Sequence, residues 1–306
     1  MAYIYPKTYF GDKIINTKDA NLSIASSAIL YGLSVYTVFP VIVNKDKKLA
    51  FRLHEHYKRL INSARIIGID TFEPQWSEAK FIKAAEEIIK TNGVKNDAFV
   101  RASVHVCEQL PGTRSRGQKT VLSIFIYEAK PILPLSGARL KTSVWRRIPD
   151  YAIPSRAKVN GAYVNSVLAK QDALDSGYDD CIFLDTSGHV CELSAGNIFI
   201  VRDNILITPA VSNDILEGIN RKTILELAAD LGMKVAEREV DLTELYVADE
   251  IFACGTSTLV APVIEVDKRK INSGKMGPIT GKIQKSYLDI LNGKDKKYSN
   301  LLTTVG

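Results

Sequence analysis

The residue types best suited to chemistry converge on the stretch Arg156-Ala157-Lys158-Val159-Asn160-Gly161-Ala162-Tyr163-Val164-Asn165. There a lysine stands just ahead of a tight Asn-Gly turn and an amphipathic helix. A lysine amine can condense with a carbonyl to form an imine, and once released it can serve as a base. With 40 lysines and arginines in 306 residues, any single one is by default a solvated charge, so the case for Lys158 has to come from its neighbours.

Five other groups are candidates. Leu216-Glu217-Gly218-Ile219-Asn220-Arg221 reads as a glycine-led helix start, whose unpaired backbone N–H groups suit an anion, phosphate especially; an ordinary helix N-terminus has the same pattern. Cys254-Gly255-Thr256-Ser257-Thr258 follows a strand and could offer N–H and O–H donors to that anion, although alone it is a polar loop. In Val190-Cys191-Glu192-Leu193, alternation sets Cys191 and Leu193 on one face and Glu192 on the other. A carboxylate near a sheet interior calls for a cation, either an arginine or a protonated ligand nitrogen. Tyr163 is either core filler alongside Val167 and Leu174 or a hydrogen-bond donor to a ligand oxygen. Arg114 and Arg116 share the loop of residues 108–117.

Much chemistry is excluded. His54, His56, His105 and His189 form no metal-binding spacing, and there is no nucleophile elbow, phosphate-binding P-loop or dinucleotide fingerprint. Cys107, Cys181, Cys191 and Cys254 lack CxxC spacing and read as reduced thiols; no metal is expected. The net charge of +6 is spread along the chain without basic–aromatic clustering, which argues against nucleic acid. No apolar run approaches the 18 residues of a membrane span, and the first residues lack a signal-peptide pattern, so a cytoplasmic, membrane-free protein is expected.

Hydrophobic content of 46% and charged content of 24% describe a folded chain with a sizeable core. The periodicities predict an α+β protein of two mixed α/β domains: a small one over residues 1–128, a Pro- and Gly-bearing linker over 129–138, and a large one over 139–306. In the first, the apolar run 27–43 reads as a buried strand interrupted by Pro40, and 44–48 as a solvated hairpin tip. Helices are expected over 54–67 and 77–90, with strands over 98–106 and 120–127. In the second, a strand over 140–145 precedes the Lys158 segment and a helix over 162–176. Four short antiparallel strands follow (181–185, 190–193, 197–201, 205–208), then a helix over 219–231, a strand over 234–240, a short helix over 242–247, a strand over 250–253 and a last helix over 280–291.

Taken in order, these motifs resemble the fold-type IV pyridoxal-phosphate aminotransferases, most closely the branched-chain amino acid aminotransferases. The resemblance extends through Ala28-Ile-Leu-Tyr31-Gly-Leu-Ser-Val35, Phe51-Arg-Leu-His-Glu-His-Tyr-Lys-Arg59-Leu60, Ser143-Val-Trp-Arg-Arg147, Gly177-Tyr-Asp-Asp180 and Leu245-Tyr-Val-Ala-Asp-Glu250, nearly the whole chain. It implies a ping-pong Schiff-base transfer of an amino group between a branched-chain L-amino acid and a 2-oxo acid such as 2-oxoglutarate. Lys158 would be the Schiff-base lysine, Tyr163 the tyrosine at the pyridine hydroxyl and Glu192 the partner of the pyridine nitrogen. Arg59, Ile219, Asn220 and Thr256 would cup the phosphate, with Asn220 where the family usually has threonine. Tyr31, Tyr36, Arg101, Arg114, Arg116 and Ser257 would meet substrate, and a homodimer or higher homo-oligomer is implied. Tyr36-Thr37-Val38-Phe39-Pro40 replaces the family's usual Phe-Glu-Gly-Ile-Arg. That segment and the Arg114/Arg116 loop are similar to (R)-selective amine transaminases, which keeps those and D-amino acid transaminases as alternatives, with aminodeoxychorismate lyase behind them.

Overall fold

Alternating apolar residues in the first part of the chain build one sheet. Its strands are β1 (Lys7–Phe10), β2 (Lys13–Asn16), β3 (Ser34–Asn44), β4 (Lys47–Phe51), β5 (Ala98–Val106) and β6 (Thr120–Glu128), with a C-terminal strand, Leu302–Thr304, added to β4. The spatial order is C-terminal strand, β4, β3, β5, β6, β1, β2, and every pairing is antiparallel. The computed structural model describes residues 2–45 and 47–306, so Asp46 of the expected hairpin tip lies outside the described residues. This first unit comprises residues 1–130, 157–162 and 290–306; the second comprises 131–156 and 163–289. The Lys158 segment and the C-terminus thus belong to the first unit, which a single cut at 129–138 does not provide for.

The apolar run 27–43 divides. Ser27–Leu30 forms one helical turn, α1, and Gly32 takes φ +65° before β3 begins at Ser34. The strand then runs straight through Pro40, which pairs with Phe99 of β5. The reason lies in the edge that the proline nitrogen faces. By alternation it points the same way as the Tyr36 N–H, away from β5, and β4 begins to pair with β3 only at Val41. No ladder bond is lost there.

Odd-numbered β3 residues (Val35, Phe39, Val41) and even-numbered β5 residues (Val100, Ala102, Val104) share a buried cluster with Leu60, Ala64, Phe81 and Ile88. Those four come from α2 (Leu53–Ile66) and α3 (Glu78–Thr91), whose apolar residues recur at helical spacing. The opposite face carries Tyr36, Val38, Arg101, Ser103 and His105.

The second unit has β7 (Ala138–Thr142), β8 (Asp180–Leu184), β9 (Val190–Leu193), β10 (Asn197–Arg202), β11 (Ile205–Thr208), β12 (Lys234–Glu237), β13 (Glu250–Gly255), β14 (Leu259–Val266) and β15 (Arg269–Lys270). Its helices are α4 (Tyr163–Asp175), α5 (Ile219–Asp230), α6 (Leu242–Tyr246) and α7 (Pro278–Leu291). β8 to β11 pair antiparallel in succession, as their spacing implies, while β7 runs parallel to both β8 and β14, and β12 runs parallel to β11. The path β10-β13-β14-β7-β8-β9 closes on itself through one pair, Glu192 with Asn197. Leu140, Ile182, Leu184, Ile198, Ile200, Ala253, Ala261 and Val263 form the core of that ring. β14, absent from the sequence expectations, contains Pro262, and α4 differs from its expected burial. It buries Ser166, Ala169 and Ala173, leaving Val167 and Leu174 exposed, so these two are not core filler.

Gly32 sets where the Lys158 segment can lie. A Cβ there would stand 2.8 Å from the Gly161 Cα, with a positive φ besides. Gly32→Ala is expected to cost about 1–2 kcal/mol from the left-handed backbone alone and more from the clash, read as a lower urea midpoint; an unchanged midpoint would contradict this packing.

Candidate functional site

In the first unit, Lys158 is fixed through its backbone. The Tyr36 N–H donates to the Lys158 carbonyl at 3.0 Å and the Asn160 N–H donates to the Ser34 carbonyl at 2.9 Å, with Val35 bridging Val159. This extended segment, joined to β3 by a single β-bridge, occupies the edge of β3 that β4 leaves open. The Lys158 N–H donates to Ser63 Oγ at 3.0 Å, and Ser63 Oγ donates to the Arg59 carbonyl at 2.8 Å, so α2 ties the lysine to the arginine one turn away. Pinned at both backbone groups, Lys158 directs its ammonium over the Tyr36 ring, 4.9 Å from the centroid. Arg101 lies over the same ring at 3.6 Å. The structure therefore brings Lys158, Tyr36 and Arg101 together.

Arg59 donates from Nη2 to Thr37 Oγ1 at 3.3 Å, and Thr37 Oγ1 also meets His56 Nδ1 at 2.7 Å. His56 is fully buried; burial first, then the charges of Arg59, Lys158 and Arg52, hold its imidazole well below the usual histidine range. Such a ring is neutral near pH 7, so it adds no charge beside these three cations. Tyr31 is 47% exposed, and Arg114 and Arg116 are exposed on a loop held by the Gly117 N–H donating to Asp70. These three are surface groups in this chain.

In the second unit, Glu192 is 5% exposed. Strict alternation fails here. Ile182 pairs with Leu193 but Leu184 pairs with Val190, so β9 holds one residue more than β8 over that interval, a β-bulge. Leu193 and Val190 therefore point into the ring core, while Cys191 packs with Ala169, Phe183 and Ile215 outside it, and the expectation that Cys191 and Leu193 share a face is corrected. Glu192 receives Arg147 Nη2 at 3.0 Å, Asn197 Nδ2 at 3.1 Å and the Leu216 N–H at 3.3 Å. Every one of these partners is a donor, so the setting is built for an ionised carboxylate.

Asn197 also donates to the Leu216 carbonyl at 3.0 Å, which draws the start of α5 to the same place. Gly218 must be glycine, since a Cβ would fall 2.0 Å from Asn197 Oδ1. Past it, Ile219 and Asn220 open α5 with first-turn N–H groups that have no intrahelical acceptor. Asn220 is 3% exposed, and neither polar atom of its side chain has a partner among the described residues. A buried, unpartnered amide at a helix start is costly unless a ligand completes it. Thr256 and Ser257, both half-buried, sit in the β13–β14 turn; a Cβ on the preceding Gly255 would stand 3.1 Å from the Ala195 carbonyl, next to the Glu192–Asn197 pair. Tyr163, half-buried, begins α4, which Asn165 ties to the Arg146 carbonyl. Glu192, Ile219, Asn220, Thr256 and Ser257 thus gather around one pair of strands.

Four contributors escaped the sequence reading. Ser63 was detectable as the residue four beyond Arg59 on a helix, and Arg147 as one of two adjacent arginines. Thr37 and Asn197 had no signal of their own, because their roles depend on which strands pair. Among the described residues, no helix is long and apolar enough to cross a membrane, and no group of three or more His, Cys, Asp or Glu is placed to hold a metal ion.

Comparison with known proteins gives a consistent picture. The family model described as amino-transferase class IV matches residues 34–266. A probable branched-chain-amino-acid aminotransferase of Aquifex aeolicus is 36% identical, covering 97% of this chain and 96% of its own. The crystal structure of a branched-chain aminotransferase from Thermoproteus uzoniensis with norvaline superposes with a TM-score of 0.95 at 34% identity, over 99% of this chain and 100% of that one. The PLP-bound form of the Thermobaculum terrenum branched-chain amino acid aminotransferase gives 0.92 at 29% identity, over 99% of both chains. The α+β architecture is that of these enzymes.

Two histidines, His56 fully buried and His105 half-buried, give a pH prediction. Burial, with Arg101 second, pushes His105 down to about 4, and His56 is lowered too. Below the unfolded value near 6.5 the unfolded chain binds more protons than the folded one. Stability is therefore full above pH 6.5 and falls as pH drops toward 4, by about 1.4 kcal/mol per pH unit for each proton. Thermal midpoints should show this slope, and His105→Gln should reduce it; a flat profile from pH 6.5 to 4 would contradict the lowering of both rings.

Proposed function

The chain belongs to the class IV amino-transferases, and on that premise we propose that it moves an amino group between a branched-chain L-amino acid and a 2-oxo acid such as 2-oxoglutarate, in two half-reactions at one site. The placement of Lys158 carries this reading. Its backbone is bonded to a strand and a helix while its amine is turned to an aromatic face beside an arginine.

The residues fit pyridoxal 5′-phosphate. Asn220 offers a buried amide with no partner among the described residues, at a helix start whose free N–H groups suit a phosphate. When bound, that group supplies an aldehyde that condenses with amines and a ring that accepts the electron pair left when the substrate Cα gives up its proton. Lys158 Nζ would hold the aldehyde carbon and, once displaced by substrate, take and return the Cα proton. Glu192, kept anionic by Arg147, would hold a proton at the ring nitrogen, and Tyr163 would donate to the ring hydroxyl oxygen. Arg59, Ile219, Asn220 and Thr256 would bind the phosphate oxygens. Tyr36 and Val38 offer an apolar surface to an aliphatic side chain, Arg101 a cation to a carboxylate, and Ser257 a hydroxyl.

Tyr31, Arg114 and Arg116 would serve substrate recognition across a homodimer. The support is the exposed apolar set on the second unit, with Val164 and Val167 each 64% exposed on α4 beside Leu168, an arrangement suited to a second copy. Light scattering should give twice 33.8 kDa, and paired Val164→Asp and Val167→Asp should halve it; a fully active wild-type monomer would contradict the dimer.

A donor panel tests the substrate. L-leucine and L-valine with 2-oxoglutarate should be converted at rates at least about tenfold above D-alanine or (R)-1-phenylethylamine with pyruvate, a separation of about 1.4 kcal/mol or more. The reverse order would make it an amine or D-amino acid transaminase, in keeping with its Tyr36-Thr37-Val38 segment.

A further inference from the structure

A site that alternates between a branched aliphatic substrate and a dicarboxylate faces opposing demands. The aliphatic chain disfavours a bare charge, while the second carboxylate requires one. In the first unit Arg101 shares the Tyr36 ring with the Lys158 amine, and its surroundings address both demands. The guanidinium lies 3.6 Å from the Tyr36 centroid. Its Nη2 donates to Asn160 Oδ1 at 2.6 Å and its Nε donates to Ser103 Oγ at 3.4 Å. Asn160 is itself immobilised: its N–H donates to the Ser34 carbonyl at 2.9 Å and its Nδ2 donates to Ser34 Oγ at 2.6 Å. An arginine offers no acceptor, so only the amide oxygen can meet it, and the amide nitrogen is left for Ser34.

Resting on the proposed aminotransferase reading, we propose that Asn160 is a specificity-determining residue. Its side-chain amide parks the Arg101 guanidinium over Tyr36 without offsetting the charge, so that the same surface accepts both a monocarboxylate and a dicarboxylate 2-oxo acid. A carboxylate at this position would have nearly the same shape and would also hold Arg101, but as an ion pair that competes with an incoming carboxylate. An amide keeps the arginine oriented and leaves its charge available. Asn160 acts through Arg101 and is a positioning residue.

The difference between shape and charge supplies the test. With L-valine as donor, kcat/KM is measured for 2-oxoglutarate and for 4-methyl-2-oxopentanoate in the wild type, Asn160→Asp and Asn160→Ala, with thermal midpoints as the folding control. The ratio of 2-oxoglutarate to 4-methyl-2-oxopentanoate should fall about tenfold or more in Asn160→Asp, mainly through the KM for 2-oxoglutarate, and only about two- to fivefold in Asn160→Ala. Calorimetric dissociation constants for 2-oxoglutarate should follow the same order. If Asn160→Asp does not fold, Asn160→Ala and Asn160→Ser decide, and an unchanged ratio in both overturns the proposal. Equal losses for the two acceptors in Asn160→Asp, or a larger ratio change in Ala than in Asp, also overturn it. A wild type that transfers to neither acceptor overturns the aminotransferase reading itself and this inference with it.

Discussion

The first unit's chemistry depends on a half-occupied strand edge. β3 is eleven residues long, but β4 pairs only with its last four, so the hydrogen-bonding groups from Ser34 to Tyr36 are left open. Unpaired backbone groups at a buried edge cost free energy until something completes them. The chain completes them with itself, laying the Lys158–Asn160 backbone against that edge from more than 120 residues away. The two bonds orient the segment so that Val159 enters the core and Lys158 emerges on the opposite face, beside Tyr36 and Arg101. Pro40 is tolerated for the same reason, since its nitrogen faces the gap between the two partners.

In the second unit several polar groups meet at the one pair that closes its strand ring. Asn197, opposite Glu192, bonds that carboxylate with its side-chain amide and also holds the Leu216 carbonyl, so ring closure and the position of α5 are set together. The β9 bulge aims Glu192 away from the apolar interior of the ring. There Arg147 and two N–H donors sustain its charge, an arrangement whose disruption would leave an uncompensated buried ion. The buried thiols in this unit are bystanders: burial pushes Cys254 up to about 12 and raises Cys181 and Cys191 further.

What the sequence disclosed was mainly local. Helical spacing placed α2, α3 and α5 within a residue or two, and the order of Lys158, Tyr163, Glu192, Asn220 and Thr256 pointed to the family. Nonlocal pairing was hidden. Nothing near Thr37 or Ser63 shows that Lys158 will lie beside them, and no local pattern shows that residues 157–162 join the first unit. The bulge defeated the alternation reading at Cys191, because an inserted residue is visible only against its partner strand. α4 misled for another reason. Its apolar residues Val167 and Leu174 point to solvent in a single chain, so burial within that chain cannot account for their type.

The central claim is that Lys158, held by β3 and α2, is the lysine that bonds covalently to the cofactor. Borohydride reduction of the cofactor-loaded protein, followed by peptide mass spectrometry, tests it most directly. The structure predicts one stable pyridoxyl modification per chain, on the peptide containing Lys158, and none in Lys158→Ala. Modification of a different lysine, or equal labelling of the Ala variant, would contradict the account.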